Sequence, residues 1–491
     1  MRSLAGEFTL SFCTRRIFGK ACSNRNHFRE RDLPRGGAGL FDNYRSASRR
    51  SAGAFSGNLF GKLRSRILAV RAPSGRVARP ALRWGRRGGL GLGSEVGAGT
   101  LRDGLHLGSA LNPHERDEGI MNRRWLFFEC LVLMIAGSSI GAAAQQLDGA
   151  AASSNFERSR AAVDVLQKWY EPTSGLYRTT GWWNSANAIT ALANYSRVRD
   201  SSEYLPVFAN TFAVAQSAAG GARGFLNKYY DDEGWWALAW IDVFDLTGET
   251  RYLEAAREIF QDMQGGWETR TCGGGVWWSK DKRDKNAIEN ELFLAVAASL
   301  ANREPDQAAR KMDLDWAMKE WGWFQSAGLI NGDHLVNDGL DISDGTHCRN
   351  NGKATWTYNQ GVILGGLIEL SRAARDPALL RIAYSIADAA IARLSDANHV
   401  LREPNDAHTG ADVPQFKGIF MRNLMLLNRA APWAQYRSFI EANVAALWQH
   451  DRSASGEFGF WWQGPFDRAD AARQSSALDL LVAGDSLGQV R

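Results

Sequence analysis

The chain has 491 residues and an overall net charge of +5, but the charge is unevenly distributed along the sequence. Residues 1–120 contain 22 Lys and Arg against 9 Asp and Glu, a net charge of +13, whereas the remaining residues contain 36 against 44, a net charge of −8. The basic balance belongs to the first region alone. It therefore gives no reason to expect a nucleic acid or a stable membrane association as a partner of the folded part.

The N-terminal region is predicted to lie outside the folded domain. Residues 1–120 are rich in Gly and Arg and show no sustained helical or strand period. At Met121 a short basic segment precedes an apolar stretch at 125–140 and a run of small residues, which is typical of a secretory signal peptide. We expect a signal peptide at 121–144, a secreted or periplasmic protein, and Met121 as the true start. A disordered basic tail at 1–120 is the alternative, and a transmembrane anchor is disfavoured because a span needs roughly 20 apolar residues.

Residues 145–491 are numerous enough for one large core, and they contain 17 Trp. Apolar residues recur in them at helical spacing, and no comparable run alternates at the period of a strand. The periodicity predicts twelve amphipathic helices, at 156–169, 184–199, 203–219, 232–246, 250–264, 286–302, 306–326, 356–374, 378–394, 416–429, 433–449 and 471–484. We therefore expect an all-α domain.

The connections between these predicted helices alternate in length. Connections within a pair have about three to five residues, and those between pairs have about 12 to 29, a length that usually indicates a functional loop. Antiparallel helices joined in this way place all long loops at one end, which predicts an (α/α)6 toroid of twelve helices in six hairpins. The helix after each long loop would form the inner ring. A superhelical solenoid of helix pairs is the alternative, although no repeat of 34 or 42 residues is visible.

Each long loop enters the next helix through a polar and aromatic cluster, and six such clusters would converge on the mouth of a toroid. Two long loops also contain the segments CGGGVWW at 272–278 and NDGLD at 337–341, which could bind a ligand or serve as a packing loop and a simple turn. From these segments we predict binding residues at Trp183, Asn184, Tyr230, Trp235, Trp277, Asn290, Asp338, Asp341, Trp356, Tyr358, Asn359, Gln360, Phe416 and Lys417.

Adjacent acids inside an aromatic cluster are the least expected feature of the sequence. The stretch YYDDEGWW places Asp231, Asp232 and Glu233 between pairs of aromatic residues at the start of a predicted helix. Two carboxyl groups close together suit a glycosidase, in which one attacks or activates water and the other protonates the leaving oxygen. Burial and repulsion would raise the pKa of one of the aspartates. The alternative is ordinary capping of a helix N-terminus, and Glu233 is interpreted as a favourable charge at that terminus.

Only two cysteines, Cys272 and Cys348, lie after residue 144. In an exported protein such a pair is a candidate disulfide, and two unrelated thiols are the alternative. Without a supporting histidine cluster, the pair argues against a zinc site.

Five motifs occur in order along the chain: YYDDEGWWALAWIDVFDLTGETRYL, CGGGVWW, KNAIENELFL, VNDGLD and NNGKATWTYNQGVILGGL. Together they resemble glycoside hydrolase family 76, which contains α-1,6-mannanases and fungal cell-wall relatives thought to act as transglycosidases, and the resemblance covers roughly Asn155 to Gly484. It implies an (α/α)6 catalytic domain at 145–491. It also implies a retaining, endo-acting hydrolase of α-1,6-mannan in which Asp231 is the nucleophile and Asp232 the general acid/base.

The resemblance implies a polysaccharide substrate, α-mannan, and a mechanism that needs neither a cofactor nor a metal. We expect a monomer. Three alternatives remain open at this point: another toroid glycosidase such as a glucuronyl hydrolase, a cell-wall mannan transglycosidase, and a non-catalytic mannan-binding protein. The missing C-terminal anchor signal weakens the transglycosidase alternative, and the presence of both acids weakens the binding-protein alternative.

Overall fold

The computed structural model describes residues 155–217, 223–343, 348–406 and 410–488. The predicted leader at 1–120 and the predicted signal peptide at 121–144 lie outside the described residues. Within the described ranges, no helix is long and apolar enough to cross a membrane.

The described chain contains twelve α-helices, close to those predicted from periodicity. They span residues 155–166 (α1), Trp182–Arg199 (α2), Leu205–Val214 (α3), Tyr230–Thr247 (α4), Thr250–Gln264 (α5), Ala287–Arg303 (α6), Gln307–Ser326 (α7), Thr357–Ala374 (α8), Ala378–Arg393 (α9), Phe416–Ala430 (α10), Ala434–His450 (α11) and Ala471–Ser486 (α12). The largest difference is α3, which was predicted to continue to residue 219 but ends at Val214. Beyond it, Ser217 forms a β-bridge with Leu226.

Six helices form a closed inner ring. α2 packs against α4, α4 against α6, α6 against α8, α8 against α10, α10 against α12, and α12 returns to α2. The helices α5, α7, α9 and α11 pack outside this ring against their neighbours in sequence. Because the ring closes, the solenoid alternative is wrong and the predicted (α/α)6 toroid is confirmed, with the helix after each long loop on the inside.

The inner helices are enclosed on all sides, whereas the outer helices bury one face. Of the 17 residues of α6, 15 are buried, but only seven of the 15 residues of α5 are. Glycines allow the inner backbones to touch. A Cβ atom on Gly361 would lie 2.6 Å from the Cα of Phe420, and one on Gly418 would lie 2.5 Å from the Cα of Ser476.

The long loops lie at the end of the ring where the inner helices begin, here called the mouth. Two of the loops contain short antiparallel hairpins, Tyr170–Glu171 (β1) with Leu176–Tyr177 (β2), and Leu340–Asp341 (β3) with Arg349–Asn350 (β4). A disulfide between Cys272 and Cys348, whose Cα atoms are 5.2 Å apart, joins the loop before α6 to the loop before α8. These links fix the loops that surround the mouth.

Candidate active site

Asp231 and Asp232 occupy the first turn of α4, at the mouth. The helix begins at Tyr230, whose backbone N–H donates to the Trp278 carbonyl at 3.0 Å, so the loop before α6 covers this helix start. Both aspartates are half-buried. A helix N-terminus carries free N–H groups and partial positive charge, which offsets part of the cost of placing two carboxylates there.

Asn227 holds one oxygen of Asp232. Its Nδ2 donates to Asp232 Oδ2 at 2.6 Å, while its Oδ1 accepts from the Tyr229 backbone N–H at 2.7 Å. Its own backbone N–H donates to Glu233 Oε1 at 2.8 Å. The loop before α4 therefore folds back on the helix start and fixes the orientation of the Asp232 carboxyl group.

Glu233 is part of this arrangement, and its interpretation as a mere charge at a helix end is wrong. Its side chain is fully buried, and Lys280 Nζ donates to its Oε1 at 2.9 Å while also contacting Asp262 at 2.8 Å. Burial raises the pKa of Glu233 to about 8, although the hydrogen bond from Lys280 opposes that rise. Glu233 thus anchors Asn227, which in turn holds Asp232.

Burial raises the pKa of both aspartates. The pKa of Asp231 rises to about 7, although the nearby Trp278 side chain opposes the rise. The pKa of Asp232 rises well above its usual range because of burial and then because of the neighbouring charge of Asp231. The pair can therefore hold a proton near neutral pH, as general acid catalysis requires.

A third carboxyl group, Asp412, lies near the pair and was missed by the sequence analysis. Its charge raises the pKa of both Asp231 and Asp232, and its Oδ1 accepts a hydrogen bond from Trp183 Nε1 at 3.1 Å. Burial raises the pKa of Asp412 itself. Asp412 lies three residues before Gln415, where the polar and aromatic cluster at the start of α10 begins. That position is the only indication of it in the sequence.

Two more carboxyl groups, Glu289 and Glu291, lie fully buried in the first turns of α6. Burial raises the pKa of both well above the usual range, and the charge of Asp231 adds to the rise at Glu289. Glu289 Oε2 and Glu291 Oε1 have no hydrogen-bond partner in the described part of the chain. The sequence analysis chose Asn290 between them, but the glutamates are the residues with an unused polar atom.

Stacked aromatic rings run across the mouth beside the acids. Trp183 stacks on Trp235 with ring centroids 5.6 Å apart, Trp235 on Tyr358 at 6.5 Å, and Tyr358 on Phe416 at 3.9 Å. Trp183 and Tyr358 are half-buried, whereas Trp235 and Phe416 are buried behind them. Such rings suit a ligand with C–H faces.

Four predicted binding residues use their polar groups on the protein itself, and their roles in binding stay predictions. Asn184 bonds the Gln415 side chain and the Gly181 backbone, Asn290 bonds both backbone groups of Val276, Gln360 does the same to Val336, and Lys417 donates to the Phe460 carbonyl. All four are at most 1% exposed. An amide side chain can pair with a peptide group as readily as with a ligand, and here the amides hold long loops to helix starts.

The other predicted binding residues differ in their surroundings. Asp338 is half-buried and accepts a hydrogen bond from the half-buried Trp356, whereas Asp341 forms an ion pair with Arg349 in the β3–β4 hairpin at 3.0 Å. Asn359 is buried and donates weakly to Glu291 at 3.4 Å. Their roles in binding stay predictions.

Trp277 and Tyr230 are buried at 5% exposure each, whereas Trp278 is half-buried and is the residue of the WW pair that reaches Asp231. The sequence analysis therefore chose the less accessible of two adjacent tryptophans. Among the described residues, no group of three or more His, Cys, Asp or Glu side chains is arranged to hold a metal ion.

A family model described as glycosyl hydrolase family 76 matches residues 154–486, which include every helix from α2 to α12. Mannan endo-1,6-alpha-mannosidase DCW1 of Saccharomyces cerevisiae is 25% identical over 329 residues, covering 61% of this chain and 71% of that protein. Mannan endo-1,6-alpha-mannosidase DFG5 of Candida albicans is 24% identical over 345 residues, covering 64% and 74%.

A solved structure has a similar fold. It is an inactive variant of the α-1,6-mannanase GH76A of Salegentibacter sp. HEL1_6, with two consecutive aspartates replaced by asparagine, in complex with α-1,6-mannotriose. The TM-score is 0.62 at 22% identity, and the match covers 68% of this chain and 100% of that chain. At this identity the similarity establishes the fold alone.

Proposed function

Because the chain belongs to glycosyl hydrolase family 76, we propose that it is an exported, endo-acting, retaining hydrolase of α-1,6-mannan. One observation carries the proposal: two adjacent aspartates with raised pKa values lie at an aromatic mouth, and Asn227 from the preceding loop fixes one of them. A retaining glycosidase needs one carboxylate to attack and one carboxylic acid to protonate.

The relatives support the choice of substrate and of residues. DCW1 and DFG5 are named as mannan endo-1,6-alpha-mannosidases, and the structural neighbour with bound α-1,6-mannotriose is inactivated by replacement of two consecutive aspartates. Asp231 and Asp232 are a consecutive pair at the mouth of the same fold. We therefore assign the catalytic roles to them.

In the first step, ionised Asp231 attacks the anomeric carbon of a mannosyl unit, and the bond to the departing O6 breaks. Asp232 gives its proton to that oxygen, so the leaving chain departs as an alcohol. The charge of Asp231 raises the pKa of Asp232 and keeps Asp232 protonated until this step. The Trp278 side chain lowers the pKa of Asp231 and so favours its ionised form.

In the second step, Asp232 is ionised and accepts a proton from water, whose oxygen attacks the anomeric carbon and releases Asp231. Two displacements at one carbon retain the anomeric configuration. Asn227 donates only to Oδ2 of Asp232, so the other carboxyl oxygen is available to accept this proton. The residues at the mouth therefore supply a nucleophile, an acid/base and an aromatic surface for the sugar.

Export is proposed from the signal-peptide pattern at 121–144 and is consistent with the Cys272–Cys348 disulfide, since disulfides persist in oxidising compartments. N-terminal sequencing of exported protein should find cleavage close to Gln145. Retention of residues 1–120 on the exported protein would contradict the proposed start at Met121.

The deciding experiment incubates the purified protein with unbranched α-1,6-mannan and follows product size and anomeric configuration by NMR. We expect oligosaccharides of intermediate length from the earliest time points, released as the α-anomer. Release of mannose alone would contradict endo action, and initial release of the β-anomer would contradict retention. Binding of mannan without any cleavage would favour a mannan-binding protein, and products longer than the starting chains would favour a transglycosidase.

A further inference from the structure

A lysine side chain lies at the centre of the loop at 265–286, between α5 and α6. Lys285 is 0% exposed, which is rare for lysine. Its ammonium group lies within hydrogen-bond distance of four backbone carbonyl oxygens, those of Gly274 at 2.5 Å, Thr271 at 2.9 Å, Gly275 at 3.1 Å and Glu268 at 3.3 Å. The four oxygens come from a single short segment that wraps around one cation.

The backbone of that segment is shaped for inward-facing carbonyls. Cys272, Gly273 and Gly275 have φ angles of 62°, 69° and 83°, in the left-handed region that reverses the chain direction. The disulfide at Cys272 fixes the same turn to the loop before α8. The segment is therefore a tight coil whose polar side faces Lys285.

Two tryptophan rings complete the enclosure. The centroid of Trp277 is 4.8 Å from Lys285 Nζ and that of Trp323 is 5.9 Å away, both within the range of cation–π attraction. Trp323 also donates from Nε1 to the Cys272 carbonyl at 2.9 Å, and a Cβ atom on Gly275 would lie 2.3 Å from its ring. Carbonyl dipoles and ring faces both favour a positive charge at this position.

The same loop reaches the catalytic pair through Trp278. Its backbone N–H donates to the Asp284 carbonyl at 2.8 Å, directly before Lys285, and its carbonyl accepts from the Tyr230 N–H at the start of α4. Its side chain also lies close enough to Asp231 to lower the pKa of that carboxyl group. The position of the Asp231 carboxylate therefore depends on the path of this loop.

We propose that the Lys285 ammonium is a built-in cation around which the loop at 265–286 folds, and that Lys285 is a positioning residue for Asp231, acting through Trp278. Burial lowers the pKa of Lys285 to about 8, and the charges of Glu268, Glu320 and Glu289 oppose that fall and favour the charged form. The carbonyl oxygens replace the water that the buried ammonium has lost. The effect on catalysis rests on the proposed function, since it is measured as mannan hydrolysis.

The test compares Lys285→Ala, which leaves the space among the four carbonyl oxygens (the carbonyl cage) empty, with Lys285→Met, which fills that space without a charge. Lys282→Ala, at an exposed position of the same loop, is the matched control. We expect kcat to fall about 10²-fold in both Lys285 variants, as for other misplaced catalytic groups, with KM changed by less than about threefold. Ethylammonium chloride should restore kcat at least about tenfold in Lys285→Ala only, because methionine blocks the cage.

The proposal would be overturned if kcat of both variants stayed within about twofold of wild type, or if thermal stability fell while kcat below the unfolding temperature was unchanged. It would also be overturned if ethylammonium chloride restored kcat of Lys285→Met as much as that of Lys285→Ala. If the variants do not fold, refolding in ethylammonium chloride should recover Lys285→Ala and not Lys285→Met, and sodium chloride at equal ionic strength should recover neither. If ethylammonium chloride did not recover folded Lys285→Ala, the proposal would also be overturned. An inactive wild type would refute the proposed function instead, and the refolding comparison would still decide the role of Lys285.

Discussion

The two ends of α4 use aspartate in opposite ways. At the start, Asp231 and Asp232 have raised pKa values, and Asp232 accepts a hydrogen bond from the neutral side chain of Asn227. At the end, Asp245 is paired with Arg303 through two bonds of 2.5 and 2.7 Å. The mouth thus holds carboxyl groups that can exchange a proton, whereas the opposite end of the ring holds charges that are neutralised by arginine.

The helix dipole alone would favour ionised carboxylates at the start of α4 and disfavour them at its end. A helix N-terminus favours a carboxylate and a C-terminus disfavours one, by about 0.3–1 kcal/mol at exposed positions. At the mouth, burial and mutual repulsion outweigh this term, because the pKa values rise despite the favourable end of the helix. At the other end, Arg197 and Arg303 from neighbouring inner helices supply the compensating charge for Asp242 and Asp245. Within α4, burial without a paired cation therefore distinguishes Asp231 and Asp232 from Asp242 and Asp245.

The largest expected effect is loss of the proposed catalytic pair. Asp232→Asn and Asp231→Asn should each lower kcat on mannan by about 10⁴-fold or more, because each removes an essential chemical role. Neither should lower the thermal stability, since each replaces a buried, mutually repelling carboxyl group with a neutral one. Steady-state kinetics and thermal unfolding measure the two effects separately.

Azide distinguishes the two roles on an aryl mannoside, whose leaving group needs little protonation. Azide should restore turnover of Asp232→Asn with retained configuration, because it attacks the accumulated glycosyl-enzyme without a base. In Asp231→Asn it should give at best a product of inverted configuration. The opposite pattern would exchange the two roles, and no restoration in either variant would remove the support for a retaining mechanism.

The next largest effect is expected at Asn227. Asn227→Ala should lower kcat about 10²-fold, because the Asp232 carboxyl group loses its fixed orientation. The hydrogen bond from Asn227 lowers the pKa of Asp232, so its loss should raise that pKa further. The alkaline limb of the kcat/KM profile, where Asp232 loses its proton, should therefore move to higher pH.

Glu233→Gln is the comparison for Asn227→Ala, since glutamine keeps an oxygen that can accept from the Asn227 N–H. It should lose less activity than Asn227→Ala and should leave the alkaline limb closer to that of wild type. Equal loss in the two variants would show that the charge of Glu233, and not its hydrogen bond, controls the pair.

A smaller effect is expected from Asp412→Asn, which keeps an acceptor for Trp183 Nε1 and removes a charge. That charge raises the pKa of both catalytic aspartates, so its removal should lower both values. Both limbs of the kcat/KM profile should then move to lower pH, by less than about one unit, while the maximal rate changes little. A shift to higher pH, or none, would contradict the placement of Asp412 in the electrostatics of the mouth.

The helices and their arrangement were predictable because periodicity and loop length are local signals. The closed ring follows from alternating short and long connections, and the start of α4 falls two residues from its predicted position. Asp231 and Asp232 were also recognisable, because they are adjacent in the sequence. Asp412 was not, because it meets them only after the ring has closed.

The surroundings of several predicted binding residues have local causes that a sequence does not resolve. Asn290 and Gln360 were assigned to ligand binding, although an amide serves equally well to hold a loop peptide. Trp277 was chosen over Trp278 because the φ angles of a glycine-rich loop, and hence the direction of each ring, follow no repeating pattern. The side chain of Lys285 turns into its own loop because backbone carbonyl oxygens there accept hydrogen bonds from its ammonium group, and no sequence pattern indicates this.

The smallest effect on activity is expected at the end of the ring opposite the mouth. Arg303, with 17% side-chain exposure, joins Asp245 of α4 to Glu369 of α8, so Arg303→Met leaves two carboxylates without their shared cation. The free energy of unfolding should fall by about 2–3 kcal/mol, while kcat and KM below the unfolding temperature stay unchanged. Arg372→Met is the control, because Arg372 contacts Glu369 from a half-exposed position and should cost less than about 1 kcal/mol. If Arg303→Met lowered kcat without lowering stability, the two ends of the ring would be coupled, and the division between a reactive mouth and a structural base would be wrong.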